Sequence, residues 1–255
     1  MDKPRLGTLY LVPAPLDFHC DIQVALDWVL PQHTMEVAAG LSHWVCENAK
    51  SARALLKRID AHKPLATALQ MQNIVELPRE VHKKGDHGTA WDAKALLQAA
   101  LQGIDIGLLS EAGMPAVADP GSSLVRAGHD LGLAVVPLVG PCSLVLALAA
   151  SGLNGQSFAF VGYVPQDSAQ RNHHLVALEK MALQSGQTQI LIETPYRNSA
   201  VMAALLGSLK DSTQLAVCSG LTLPQMQIQS LRVADWKRLN PNLDKNTPVV
   251  FAFGP

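Results

Sequence analysis

Ile104-Asp105-Ile106-Gly107-Leu108-Leu109-Ser110-Glu111-Ala112-Gly113-Met114-Pro115 passes from an apolar run straight into a turn of small residues and proline. Such a run reads as a strand covered on both faces, the pattern of parallel sheets, where crossover helices bury each side. Before it, Ala93, Leu96, Leu97, Ala100 and Leu101 recur at helical spacing, with Gly103 as a stop. After it, residues 119–131 read as a helix and 134–139 as a further strand. Toward the N-terminus, Trp44-Val45-Cys46 is another short apolar run. Asn48 follows as an N-cap, and Ala52, Leu55, Leu56 and Ile59 set one apolar stripe on a helix. With residues 9–12 as the first strand, this alternation predicts an α/β domain on a mainly parallel sheet.

After the apolar stretch 144–150, Ser151-Gly152-Leu153-Asn154-Gly155 reads as a connection. We place a domain boundary there, with residues 1–152 as an N-terminal α/β domain and 153–255 as a C-terminal one. In the second, strands are expected at 157–161, 189–193, 215–218, 227–233 and 249–253, and helices at 168–183 and 201–209. Little helix is expected between the last two strands. The pattern is mixed α/β with antiparallel edges.

Of the 255 residues 48% are hydrophobic, and 20 Lys and Arg face 21 Asp and Glu for a net charge of −1. A chain of this kind buries a sizeable core, which excludes disorder as its main theme. The longest apolar stretch falls far short of the ~20 residues that span a bilayer. Met1-Asp2-Lys3-Pro4-Arg5 leads into a run broken by Pro13 and Pro15, unlike a secretory signal, so a cytoplasmic protein without a membrane segment is expected. Cys20, Cys46, Cys142 and Cys218 form no C-x-x-C pair and read as free thiols. The nine histidines show no metal-ligand pattern, and no metal site is expected. Neutral overall charge supplies no global field for nucleic acid. Lys50, Arg53, Lys57, Arg58 and Lys63 nevertheless form a local basic stretch, whose simplest reading is a solvated helix face.

Gly and Pro concentrate directly after three of the apolar runs: Pro13-Ala14-Pro15, Ser110 to Pro115, and Gly140-Pro141-Cys142-Ser143. In a parallel sheet these turns share the carboxyl edge, outside which open α/β sheets bind their ligands. They are equally consistent with ordinary turns. No G-x-G-x-x-G follows a strand, no G-x-x-x-x-G-K-[ST] occurs, and Gly107-Leu108-Leu109-Ser110 does not make a nucleophile elbow.

The same turns carry a resemblance. Gly7-Thr8-Leu9-Tyr10-Leu11-Val12-x-x-Pro15, Glu47 after the second strand, S-E-A-G-M-P-A-V-A-D-P-G at 110–121, V-P-L-V-G-P-C-S at 136–143, A-S-G-L at 150–153, F-x-G-Y-x-P at 160–165 and E-T-P-Y-R at 193–197 occur in order. Together they resemble the tetrapyrrole-methylase superfamily of S-adenosylmethionine (SAM) dependent methyltransferases, in particular the branch that methylates a ribose 2′-hydroxyl of small-subunit ribosomal RNA. The resemblance implies two α/β domains with SAM in the cleft between them, and a homodimer. By position it implies Pro15, Ala112, Gly113, Met114, Val117, Ser143, Leu144 and Glu193 as cofactor residues. The chain departs from the rRNA branch at Glu47-Asn48-Ala49-Lys50, where that branch has E-D-T-R, and at Ser219-Gly220-Leu221-Thr222-Leu223, where it has R-E-L-T-K.

Methyl transfer from a sulfonium needs alignment and exclusion of water, and a hydroxyl acceptor gains from a nearby base. Glu47 and Glu111 are the candidate bases, with a capping role as a helix-start or loop carboxylate as the competing reading for each. The expected function is a SAM-dependent methyltransferase acting on rRNA or the small ribosomal subunit. Alternatives are a tetrapyrrole or other small acceptor, or a non-catalytic SAM-binding protein.

Overall fold

In the computed structural model Ile106–Leu109 forms a strand, β4, with all four residues buried. The structure describes residues 5–17, 20–78, 81, 91–239 and 241–255. The N-terminal residues weighed against a secretory signal lie outside these, except Arg5. Around β4 stand β1 (Thr8–Val12), β2 (His43–Cys46), β3 (Asn73–Glu76) and β5 (Ala134–Pro137), in the order β3-β2-β4-β1-β5. Every pairing is parallel. All five strands therefore end at one edge, and the turns after them are brought together by topology alone.

Helices α1 (Leu26–Val29), α2 (Gln32–Gly40), α3 (Ala49–His62) and α4 (Ser122–Asp130) complete this unit. Helix α3 starts where Asn48 accepts hydrogen bonds from the Lys50 and Ser51 amides, and it buries Ala52, Leu55, Leu56 and Ile59, the stripe read from the sequence. Asp17, in the turn after β1, is 4% exposed and receives both guanidinium nitrogens of Arg58 at 3.0 and 2.9 Å. The Val24 amide also donates to Asp17, and Arg58 donates to the Val24 carbonyl, so one ion pair pins the turn to α3.

Two expectations change here. The periodic segment 93–101 forms two 3₁₀ turns, Ala93–Leu97 and Ala100–Gln102. The Ala99 and Ala100 carbonyls accept from Ile104 and Gly7, partners outside the segment, and Gly103 at φ +86° closes it. The expected helix at 119 starts only at Ser122, because Pro120 and Gly121, at φ +134°, hold the chain in a turn. Asp119 thus stays in the loop.

The chain divides into two compact units after Pro141 rather than near 152, and the second unit is Cys142–Pro255 with residues 20–22. The reason is α5 (Ser143–Ser151). This helix buries Leu144, Ala147, Leu148 and Ser151, and packs against the second sheet. That sheet runs β6-β7-β10-β8-β9, from β6 (Phe158–Phe160), β7 (Thr188–Glu193), β8 (Gln214–Ser219), β9 (Gln227–Arg232) and β10 (Val249–Gly254). Only β6 and β7 pair in parallel, so the sheet is mixed. Helices α6 (Ser168–Ser185) and α7 (Asn198–Ser208) lie near the expected spans. A short helix, α8 (Val233–Leu239), occupies the link after β9 that was expected to be non-helical. It buries Val233 and Trp236, and the Trp236 indole donates to the Leu215 carbonyl. Among the described residues no helix is long and apolar enough to cross a membrane, and none of the four cysteines is in a disulfide.

Glycine at 107 is dictated by packing. A Cβ there would lie 2.5 Å from the Trp44 ring, which is 1% exposed. Gly107→Ala should lower stability by about 1–3 kcal/mol through overpacking. Denaturant titration checks this, and the double variant with Trp44→Leu should cost less than the sum of the two singles.

Candidate active site

The turns after β1 and β4 are stitched together by a two-residue bridge: the Ala14 amide donates to the Gly113 carbonyl at 2.9 Å, and the Gly113 amide to the Ala14 carbonyl at 3.0 Å. Gly113 sits at φ +72°, and a Cβ on it would meet Leu16 at 3.3 Å and the Pro141 carbonyl at 3.5 Å. Its amide and carbonyl are both engaged inside the protein. Glycine at this φ therefore serves the shape of the loop.

Beyond Gly113 the loop is strained. Ala116 and Ala118 adopt φ +63° and +64°, a region that costs an L-residue roughly 1–2 kcal/mol. Strain of this kind persists where surrounding structure over-determines the backbone, and it concentrates at functional sites. Here the bridge at Gly113 and the turn at Gly121 fix both ends.

Three carboxylates meet at this edge. Glu47 follows β2, while Glu111 and Asp119 belong to the loop after β4, the neighbouring strand. Burial pushes the Glu47 carboxyl up to about 8; the negative charges of Asp119 and Glu111 add to the rise, and a hydrogen bond from the Glu111 backbone opposes it. One Glu47 oxygen, Oε1, is buried without a hydrogen-bond partner. Burial, and then the Glu111 charge, raise Asp119 to about 6, against a hydrogen bond from Ser110. Glu111 accepts the Ser51 hydroxyl at 2.9 Å.

Of the two capping roles weighed for Glu47, the loop one is present, since Glu47 accepts a hydrogen bond from the Glu111 backbone, and the helix-start one is not. Asn48 serves the Lys50 and Ser51 amides, and Glu76 accepts the Ala49 amide at 2.7 Å. Nothing at the start of α3 calls on Glu47. Glu111 does have a structural task, tying its loop to α3 through Ser51. Asp119 was missed from sequence because a helix was expected over it; the Pro-Gly that follows it was the available signal.

The other sequence-predicted residues fall as follows. Pro15 is buried, Ala112 and Met114 are half-buried, and Val117 is exposed on the strained loop. These four and Gly113 lie on the first unit. In the second, Ser143 opens α5, whose N-terminus has no side-chain cap, and Leu144 points into the core beneath that helix. The Glu193 side chain is 1% exposed, and its Oε2 is ion-paired without a hydrogen bond. Its Oε1 accepts the Thr194 amide and hydroxyl, and its Oε2 stands 3.1 Å from Arg197. Glu193 therefore shapes the turn after β7 rather than presenting a free carboxylate. Of the basic stretch, Arg58 and Lys63 are paired with Asp17 and Glu36, whereas Lys50, Arg53 and Lys57 are exposed on one face of α3.

A family profile described as Tetrapyrrole (Corrin/Porphyrin) Methylases matches residues 43–235, which span every element from β2 into α8. The chain belongs to this family. It is similar to a protein named ribosomal RNA small subunit methyltransferase I of Vibrio cholerae, 29% identical over 96% of this chain and 77% of that one. A relative of the same name from Mesorhizobium japonicum is 31% identical over 90% and 69%. Among solved structures, a uroporphyrin-III-C-methyltransferase from Thermus thermophilus has a TM-score of 0.51 at 19% identity, covering 97% of this chain and 92% of that one. The methyltransferase CobJ has a TM-score of 0.54 at 16% identity, covering 97% and 94%. These two establish the fold.

The chain is a SAM-dependent methyltransferase. When bound, SAM supplies an electrophilic methyl on a sulfonium cation and also carries an ammonium, a carboxylate and a ribose diol. The edge of the first sheet fits that chemistry. Its turns at 13–17, 47–48, 110–121 and 138–141 contain acids but no Lys or Arg, which suits a ligand that carries positive charge; most of the turn after β3 lies outside the described residues.

A carboxyl whose folded pKa is raised holds its proton more tightly in the folded chain. Its contribution to stability is present below the ordinary carboxylate range and is lost as pH rises through about 8. Glu47→Gln keeps the shape and removes the titration. Calorimetry should show a flatter decline in Tm between pH 5 and pH 9, with the variant melting about 2–6 °C above the parent at the alkaline end. Parallel pH profiles would count against a buried, titrating Glu47.

Proposed function

We propose that the chain transfers the methyl group of SAM to a ribose 2′-hydroxyl of small-subunit ribosomal RNA. The observation that carries the acceptor is the likeness, across 96% of the chain, to a relative named for small-subunit ribosomal RNA. The carboxylates support a hydroxyl acceptor. A hydroxyl must lose its proton as it attacks, and a base is most effective when its pKa lies near the working pH. Glu47, titrating at about 8, meets that requirement. In this reading Glu47 is the base. Glu111 and Asp119 keep its proton affinity high through their charge.

Met114 and Val117 offer side chains to the cofactor, Ala112 offers backbone, and Ser143 opens the amides of α5. Pro15, Gly113, Leu144 and Glu193 act by fixing the segments that carry these groups. Lys50, Arg53 and Lys57 are the phosphate contacts for RNA. In this reading, action on ribosomal RNA supports a cytoplasmic location. A homodimer is supported by α5, whose outward face is apolar throughout: Val145, Leu146, Ala149 and Ala150 are exposed in the single chain.

Tritiated SAM offered with small-subunit rRNA, with ribosomal subunits and with porphyrinoids tests the acceptor. Label is expected on a ribose oxygen of the rRNA, and label in a porphyrinoid alone overturns the reading. Replacing Lys50, Arg53 and Lys57 by Ala should weaken RNA binding and flatten its log–log salt dependence by up to about 2, given a slope of roughly 0.7 per single-strand phosphate. SAM affinity should not move. Light scattering of Leu146→Glu should report a monomer where the parent is a dimer.

A further inference from the structure

The second unit holds a hollow of about 530 Å³ at the carboxyl ends of β6 and β7, the two strands that pair in parallel. This lies within the range of about 300–1,000 Å³ in which small-ligand sites fall. Its walls include Tyr163, Gln166, His174, Thr194, Tyr196 and Arg197. The chain has only 3 tyrosines, and two of them line this hollow, 54% and 71% exposed. Aromatic rings are normally withdrawn from water, so two on the rim of one hollow mark a surface built to cover something flat.

Both rings ride on fixed backbone. Tyr163 follows Gly162, which is in the left-handed region at φ +76° and whose carbonyl accepts the Ile192 amide. Tyr196 lies in the 3₁₀ turn Pro195–Arg197, clamped by Thr194 and Arg197 onto the buried Glu193. Arg197 is consumed by that pair, which leaves no unpaired Lys or Arg on this wall to hold a phosphate or a carboxylate. What remains is the Gln166 amide and the His174 imidazole beside two aromatic rings, since the Thr194 hydroxyl already donates to Glu193. That set recognises the edge and face of a heterocyclic base. Tyr196 also lines a second hollow of about 700 Å³ together with Asp21, Gln225, Asp244, Lys245 and Asn246. Tyr196 thus borders two hollows.

We propose that this hollow receives an unpaired base of the RNA acceptor, stacked on Tyr196 and Tyr163, and that Tyr196 separates two successive bases of a single strand. The inference rests on the RNA reading above and adds where, on the second unit, the strand is read. Stacking is tolerant of base identity, so the hollow orders single-stranded RNA against duplex. The amide of Gln166 and the ring of His174 supply what base preference there is.

The test is fluorescence anisotropy with a short labelled single-stranded RNA of mixed sequence, and with its duplex, on the full chain. Calorimetric titration with SAM runs in parallel. Tyr196→Ala should weaken single-strand binding roughly 5- to 150-fold, the equivalent of the ~1–3 kcal/mol of one stacked base. Tyr163→Ala should act in the same direction, while Tyr196→Trp should keep or improve affinity. Duplex binding and SAM affinity should be unchanged, and melting curves should show both alanine variants folded. If the parent binds RNA and methylates rRNA while both alanine variants match it, the hollow is not a base site and the RNA reading stands. If SAM affinity falls instead, the hollow belongs to the cofactor and the inference is overturned. A parent that neither binds nor methylates RNA overturns both.

Discussion

The paired hydrogen bonds between Ala14 and Gly113 are the constraint on which the reactive edge depends. Parallel strands bring the turns after β1 and β4 side by side, but neighbouring turns are ordinarily free to splay. The bridge removes that freedom. It anchors one end of a loop that contains two alanines in left-handed geometry, and it holds Glu111 and Asp119 within electrostatic range of Glu47. Without it, the alanines would relax and the carboxylates would move toward water, where the Glu47 pKa would return to the ordinary range.

Raising a carboxyl by burial is costly to folding, and the cost is met locally. The other polar groups around Glu47 are well provided for: Asn48 and Glu76 serve the start of α3, and Ser51 serves Glu111. Among the described residues at this edge, only Glu47 Oε1 is left unserved. A buried acceptor without a donor is what a site looks like before the group that donates to it arrives. In the proposed reaction that group is the acceptor hydroxyl.

Much of the first unit could be read from residue spacing. The stripe Ala52, Leu55, Leu56, Ile59 and the cap at Asn48 are local signals, and they fall where expected because nothing tertiary competes with them. The failures have tertiary causes. The 3₁₀ turns at 93–102 end on carbonyls taken by Gly7 and Ile104, a pairing invisible in the segment itself. Residues 144–150 are apolar all round, so periodicity could not say which sheet the helix would cover, and the boundary expected from spacing falls one helix too late. At the site, Gly and Pro picked out turns that the parallel sheet brings to one edge, and the structure adds what the residues in them hold. Gly113 serves its own loop, Glu193 is spent on Arg197, and Asp119 became legible only once Pro120 and Gly121 were seen to delay α4.

The ion pair between Asp17 and Arg58 bears on how such a chain can drift. Asp17 is 4% exposed and also accepts the Val24 amide, so losing Arg58 alone would strand a buried charge, a change on the order of 3–5 kcal/mol. That is a large part of a typical stability margin of about 5–15 kcal/mol. Most single-step routes away from the pair are closed, and descendants should keep both residues or exchange both. Two positions 41 apart in sequence are thereby inherited as one character. Covariation between them across a lineage would record the attachment of α3 to the turn after β1, independently of what the methyl group is delivered to.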